Sequence, residues 1–205
     1  MEQPAEKDLI ERCRRGDRRA FAALVDRYKI LIFNLVDRMI FDKALVEDLA
    51  QEVFIRVYQG LPGFRGESRL STWIYRVAYN VCMAELERAR HRVDFVSIDA
   101  RGDEAGPRLD RRDDRQDFEA MLSRIDFRWT IQKFLDRLPP RYKAMLTLYY
   151  LQEMSYGEIG EIMALPLGTV KTHLHRAKQA LRHMIVEEGL WKEMSAAYST
   201  RQVTQ

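Results

Sequence analysis

The sequence predicts an all-α fold: two small helical domains joined by a flexible acidic linker, the C-terminal one a helix-turn-helix. Three observations carry this. Apolar residues recur at spacings of three and four through nearly every patterned segment, no alternating pattern persists long enough for a strand, and Gly and Pro cluster between the periodic stretches. The 205 residues are 46% apolar and 32% charged, enough apolar material for one or two modest cores. The longest apolar runs, Ile30–Phe33 and Met145–Leu151, fall far short of the roughly 20 residues that cross a bilayer. No apolar run follows the polar start Met1–Asp8, which argues against a secretory signal. Cys13 and Cys82 lack CxxC spacing and fit a reducing, cytoplasmic setting rather than a disulfide framework.

The spacing predicts a first helix over Asp8–Arg15, closed by Gly16. Asp17 then caps a second, whose stripe is Phe21, Leu24, Val25, Tyr28 and Leu31. A third runs over about Ala44–Gln59 with Val46, Leu49, Ala50, Val53 and Val57 inward and Asp48, Gln51, Glu52 and Arg56 turned away. Gly60, Pro62, Gly63 and Gly66 break the chain, and Ser68 or Ser71 caps a fourth helix reaching about Arg90, with Ile74, Val77, Ala78 and Val81 inward. Between 93 and about 117 the periodicity dissolves into Asp, Arg and Gly, marking a solvated linker. Helical pattern resumes near Phe118 or Trp129 and reaches Leu138, where Pro139-Pro140 stop it and open the next helix, Arg141–Leu151. Ser155-x-x-Glu158 has the form of a capping box, starting a short helix with Ile159, Ile162 and Met163 inward. After a turn at Leu165–Gly168, the last helix carries Val170, Leu174, Ala177 and Leu181 on one stripe.

Charge is distributed unevenly. Lys+Arg against Asp+Glu number 17 to 14 over residues 1–92, 7 to 10 over 93–128 and 8 to 5 over 129–187. From Ile162 to Val186 there is no carboxylate, while Lys171, Arg176, Lys178 and Arg182 stand there with three of the four histidines. Such a stretch seeks a polyanion. Two short helices, a tight turn and a basic outer face suit a helix whose first residues read base edges in a major groove, with Lys178 and Arg182 on phosphates. A helical hairpin with a merely solvated basic face is the bland alternative.

Phe64 and the segment Ser71–Asn80 bring aromatic, cationic and amide groups together. Tyr75 and Tyr79 are four apart, as are Arg76 and Asn80, so a helix places them on adjoining rows read as outward. Stacking platforms beside such groups hold unstacked bases of a single strand; the alternative for Trp73 is completion of the core. Asp48 and Glu52 lack a phosphate loop, a nucleophile with its base or a metal motif, so a docking face is more economical than acid–base chemistry. His173 and His175, two apart on a helix, point to different faces, so no metal or cofactor is expected and the chain is not read as an enzyme.

Taken in order, Val46-Glu47-Asp48-Leu49-Ala50-Gln51-Glu52-Val53-Phe54, Phe64-Arg65-Gly66, Ser71-Thr72-Trp73 with Asn80, Leu138-Pro139, Ser155-Tyr156, and Gly168-Thr169-Val170-Lys171 with Arg176-Ala177 closely resemble bacterial RNA polymerase sigma factors of the extracytoplasmic-function class. The resemblance implies a region 2 domain over 1–92, a linker over 93–128, a region 4 helix-turn-helix domain over 129–187 and a tail over 188–205. It implies a non-enzymatic factor that binds core RNA polymerase and promoter DNA and helps open the promoter, often restrained by an anti-sigma factor. Asp48, Gln51, Glu52 and Arg56 would meet the polymerase β′ subunit, within a core that also includes β. Phe64, Ser71, Trp73, Tyr75, Arg76 and Asn80 would read and melt the −10 element. Thr169, Lys171, Thr172, His173, His175, Arg176 and Lys178 would read the −35 element, His173 standing where the family often has Arg. The rival reading is a helix-turn-helix regulator that binds palindromic duplex DNA as a homodimer without polymerase.

Overall fold

A computed structural model describes residues 4–94 and 132–187. Residues 95–128 of the expected linker and the tail 188–205 lie outside the described residues. Regular structure among those described is entirely helical: α1 (Pro4–Arg14), α2 (Arg18–Met39), α3 (Val46–Gly60), α4 (Leu70–Asp94), α5 (Pro140–Leu146), α6 (Tyr156–Met163) and α7 (Leu167–Glu187). Short 3-10 turns occupy Lys43–Leu45 and Leu61–Gly63, and a π-helical turn occupies Thr147–Leu151. The chain folds as two compact units, the first holding residues 4–94 with Thr147–Leu167 and the second 132–146 with 168–187.

In the first unit α2 packs against α1, α3 and α4, α3 packs on α4, and α4 packs on α6. Its start follows from local chemistry. Gly16 adopts φ +81°, the left-handed conformation that closes α1, and the Asp17 carboxylate accepts from the amides of Arg19 and Ala20 to cap α2. Arg12 holds that carboxylate, donating from Nη2 at 2.8 Å, and this hydrogen bond draws the Asp17 acid below its ordinary range.

The α2 stripe differs from the sequence expectation. Ala20, Leu24, Tyr28, Ile32, Leu35, Val36 and Met39 are buried, whereas Leu31 is 38% exposed and Phe21 and Val25 are only half-buried. The run Ile30–Phe33 is apolar all round the helix, so its pattern cannot choose a face; packing partners choose Ile32. The α3 stripe is as expected at Val46, Leu49, Val53 and Val57. Each fully buried aliphatic side chain contributes roughly 1.5–3 kcal/mol.

The loop before α4 is fixed by aromatic packing. Phe64 is buried, its ring 5.2 Å from that of Trp73, and a Cβ on Gly60 would stand 3.1 Å from Trp73 Cζ2. Arg14 of α1 donates to the carbonyl oxygens of Leu61 and Phe64, tying the N-terminal helix to this loop. Ser71 lies inside the first turn of α4 rather than capping it, and the helix continues to Asp94.

In the second unit Phe134, Leu135, Leu138, Ala144, Met145 and Leu146 are buried, as are Val170, Leu174, Ala177, Leu181 and Ile185 of α7. Lys143 is buried too, and its ammonium donates to Asp136 Oδ1 at 2.5 Å. A buried charge without such a partner would be strongly unfavourable. Cys13 and Cys82 are buried and form no disulfide. No helix among the described residues is long and apolar enough to cross a membrane.

Candidate polymerase and nucleic-acid interfaces

Three helix faces carry the residues singled out by sequence. On α3, whose other side is held to α2 and α4 by Val46, Leu49, Val53 and Val57, Asp48 and Gln51 are exposed and Glu52 and Arg56 half-exposed. Arg56 Nε donates to Glu52 Oε1 at 2.7 Å across one helical turn. At 41% side-chain exposure on each partner, this pair adds little stability but holds a cation and an anion in fixed geometry on the surface. Composition-based reasoning missed the apolar neighbours: Ile55 is 50% and Tyr58 49% exposed on α3, and Phe41 is 78% exposed at the end of α2. An apolar residue off the buried stripe was the available signal.

The α4 face is divided. Trp73, Arg76 and Asn80, at spacings of three and four, share one row. Asn80 is exposed, while Ser71, Trp73 and Arg76 are half-buried. Arg76 Nε is buried with no hydrogen-bond partner. Phe64 and Tyr75 do not have the outward display the sequence suggested: they are 5% and 4% exposed. Phe64 is consumed by its packing on Trp73. Tyr75 is covered from outside its own helix, its hydroxyl donating to Gln152 Oε1 at 2.6 Å, and burial pushes its pKa up to about 12.

Gln152 directly follows the π-helical turn, and nothing local in the sequence marked it as a partner of α4. Beyond it the Ser155 capping box forms in full. Ser155 Oγ accepts from the Glu158 amide, and Glu158 Oε2 accepts from both the amide and the hydroxyl of Ser155. These bonds, led by the Ser155 hydroxyl, lower the Glu158 acid. Ala164, at φ +54°, ends α6, and α7 begins at Leu167, which gives the expected order of helix, tight turn and helix.

On α7 the outward residues are Lys171, Thr172, His175 and Arg176, all exposed, with Thr169 and Lys178 half-buried. Thr172 Oγ1 donates to the Gly168 carbonyl at 3.0 Å, so its methyl is the group left to face outward ligands. His173 is half-buried with its ring edge-on to Tyr142, centroids 5.9 Å apart, and its Nδ1 is buried without a hydrogen-bond partner. It sits at the margin of the basic face rather than on it. No group of three or more His, Cys, Asp or Glu side chains placed to hold a metal occurs among the described residues.

The comparison with known proteins decides what these faces belong to. Residues 24–92 match the family described as sigma-70 region 2, and residues 128–181 match sigma-70, region 4. The chain is 35% identical over 181 residues to the ECF RNA polymerase sigma factor SigW of Bacillus subtilis, covering 87% of this chain and 96% of that protein. The chain belongs to the extracytoplasmic-function (ECF) sigma factors. It is also 34% identical over 187 residues to the ECF RNA polymerase sigma-E factor of Escherichia coli K12, covering 90% of this sigma factor and 96% of the relative. Two solved structures share its fold. CnrH, in complex with the cytosolic domain of CnrY, gives a TM-score of 0.62 at 18% identity, covering 89% of this chain and 98% of that one. The sigma factor RpoE of Bartonella quintana, in complex with the anti-sigma factor NepR, gives 0.58 at 19% identity, covering 80% and 96%. The protein is thus an RNA polymerase sigma factor, and the reading as a polymerase-independent regulator is not favoured.

Proposed function

We propose that this sigma factor divides its work among the three faces. α3 docks on core polymerase, at the β′ subunit, through Asp48, Gln51, Glu52 and Arg56. Ser71, Trp73, Arg76 and Asn80 of α4 capture bases of the −10 element as the strands part. α7 reads the −35 element in the major groove through Thr169, Lys171, Thr172, His175 and Arg176, with Lys178 on a phosphate and His173 beside them. The domain roles follow the boundaries 1–92 and 129–187. The observation that carries this reading is the α7 surface: from Ile162 to Val186 the chain has cations and histidines but no carboxylate, on a helix whose opposite stripe is buried.

The mechanism needs no chemistry from this chain. Duplex reading requires cations and polar groups at a helix N-terminus, where Lys and Arg donate to guanine O6 and N7 and a Thr methyl meets the thymine methyl. Strand opening requires the opposite kind of surface, an aromatic plane and amide groups that receive an unstacked base, worth roughly 1–3 kcal/mol per base stacked. Phe64 serves the second task by backing Trp73. Each face alone binds weakly; when polymerase holds both, binding at one raises the effective concentration at the other. The sigma factor therefore acts as a non-catalytic, cytoplasmic initiation factor. An anti-sigma partner is proposed on the strength of the fold it shares with the NepR-bound sigma factor.

Transcription by bacterial core polymerase with this chain and its Glu52→Ala and Asn80→Ala variants tests the assignment. Glu52→Ala should lower polymerase affinity, and Asn80→Ala should leave affinity intact while reducing open-complex formation. Equal effects of both on polymerase binding would refute the division of labour.

A further inference from the structure

Arg14 closes α1 and reaches across to the loop that precedes α4. Its Nη2 donates to the carbonyl oxygen of Phe64 and its Nε, at 3.4 Å, to that of Leu61, while Nη1 stands 3.7 Å from Glu11 Oε2. The two carbonyls lie at the end of a continuous helical run, α3 followed by the turn Leu61–Gly63, where peptide dipoles leave negative partial charge. Neither α3 nor that turn has a basic residue of its own at this end, so the cation comes from α1. At its other end α1 is tied to α2: Glu6 accepts from the Tyr28 hydroxyl at 3.0 Å and lies 3.5 Å from Arg27 Nη2. Arg14 stands before residue 24, where the match to sigma-70 region 2 begins.

We propose that Arg14 is a positioning residue for base capture: by fixing the Leu61 and Phe64 carbonyls it sets the Phe64 ring against Trp73, and with it the aromatic plane that an unstacked −10 base meets. The proposal rests on the reading of α4 as the base-capture surface. A guanidinium is a planar fork whose N–H groups have fixed directions, so one that grips two carbonyls three residues apart fixes the backbone between them. That backbone brackets Trp73. On one side of the turn Phe64 is buried with its ring 5.2 Å from that of Trp73, and on the other a Cβ at Gly60 would stand 3.1 Å from Trp73 Cζ2. Beyond Phe64 the loop holds itself weakly: Arg65, Gly66 and Glu67 are exposed, and the Arg65–Glu67 pair, 3.9 Å apart on the open surface, adds almost nothing. Without Arg14 the loop samples other arrangements, and affinity for the base falls with the fraction that keeps the Trp73 plane in place.

The test uses the full chain on core polymerase and a fork template from a start site that the chain confers, its −10 strand left single, beside a copy with abasic sites through that strand. Arg14→Ala should leave polymerase affinity unchanged, bind the intact fork about ten-fold more weakly and bind the abasic fork as the unmodified chain does. Ten-fold is the ratio of held to free loop lost with a charge-assisted hydrogen bond. Arg14→Lys, which keeps the charge but cannot span both carbonyls, should fall between the two. A loss equal on both forks, as a lower folded fraction would give, would overturn the proposal, and so would full discrimination between the forks in both variants. Full discrimination in Trp73→Ala and Asn80→Ala would instead remove the base-capture reading. The anchoring then stands or falls on Trp73 emission in a chain carrying Trp129→Phe and Trp191→Phe, which leave Trp73 as its one tryptophan. Adding Arg14→Ala to that chain should move the emission to longer wavelength, and unchanged emission would overturn the anchoring as well.

Discussion

Tyr75 gives a test of the packing on α4 that requires neither DNA nor polymerase. Burial raises its pKa from 10.0 to about 12, so the folded chain holds the phenolic proton more tightly than the unfolded chain does. A folded-state value above the unfolded one means that the stabilisation is complete below pH 10 and is lost as pH rises through 12. Two pH units correspond to about 2.7 kcal/mol, of which roughly half, about 1.4 kcal/mol, is gone by pH 11. Tyr75→Phe abolishes this titration but also loses the hydrogen bond to Gln152, at a cost of about 0.5–1.5 kcal/mol at neutral pH. The variant should therefore be less stable than the unmodified chain at pH 7, converge on it near pH 11 and exceed it above. Tyr28, whose pKa burial and Glu6 also raise, is present in both chains and cancels in the difference. Urea unfolding followed by helical circular dichroism, at constant m, measures the gap at each pH. Parallel stabilities from pH 7 to 11 would refute the assignment of a buried, protonated Tyr75.

Further predictions concern α6 and α7. Ser155→Ala removes the hydroxyl's bonds of the capping box, leaving only the residue's amide on Glu158, and should cost about 1 kcal/mol in unfolding measurements. The Glu158 acid is held below 4.5 by those same bonds, so their contribution is present above that value and lost as pH falls through the lower folded one; the gap between the two chains should close in acid. On promoter DNA with polymerase, Lys178→Ala should weaken binding uniformly across sequences and reduce the salt slope by about 1, whereas Lys171→Ala should relax preference at one −35 position by about 1–3 kcal/mol. Competition with altered −35 sequences at several salt concentrations separates these effects.

Much of the helical architecture was legible because it is encoded locally. Gly16, Asp17, Pro140 and Ser155 act within a few residues of themselves, so their chemistry is visible in the sequence and appears where expected. The α3 and α7 stripes were equally readable, since every buried position but Ile185 has at least one polar neighbour in sequence. What sequence could not supply were choices made by distant partners. The α2 run Ile30–Phe33 offers four apolar faces, and only contact with its neighbours selects Ile32. Tyr75 has the spacing of an outward residue beside Tyr79, yet it is buried, with its hydroxyl on Gln152, 77 positions away. The ion pair of Lys143 with Asp136 was invisible for the same reason: a lysine in an apolar helix is read as surface until its partner is placed. On the candidate faces, exposed groups such as Asp48, Asn80 and Lys171 emerged as read, while Phe64 and Tyr75 proved to be packing residues in this conformation.

The central claim is that this chain confers promoter-specific initiation on core polymerase through separate docking, base-capture and groove-reading faces. The most direct measurement is transcription from promoter fragments by purified core polymerase with and without the chain. Start sites that appear only when it is added, that weaken with Glu52→Ala and Asn80→Ala, and that shift in preference with Lys171→Ala are the predicted result. Initiation unchanged by its addition, together with tight binding of the chain alone to a palindromic duplex, would contradict the account.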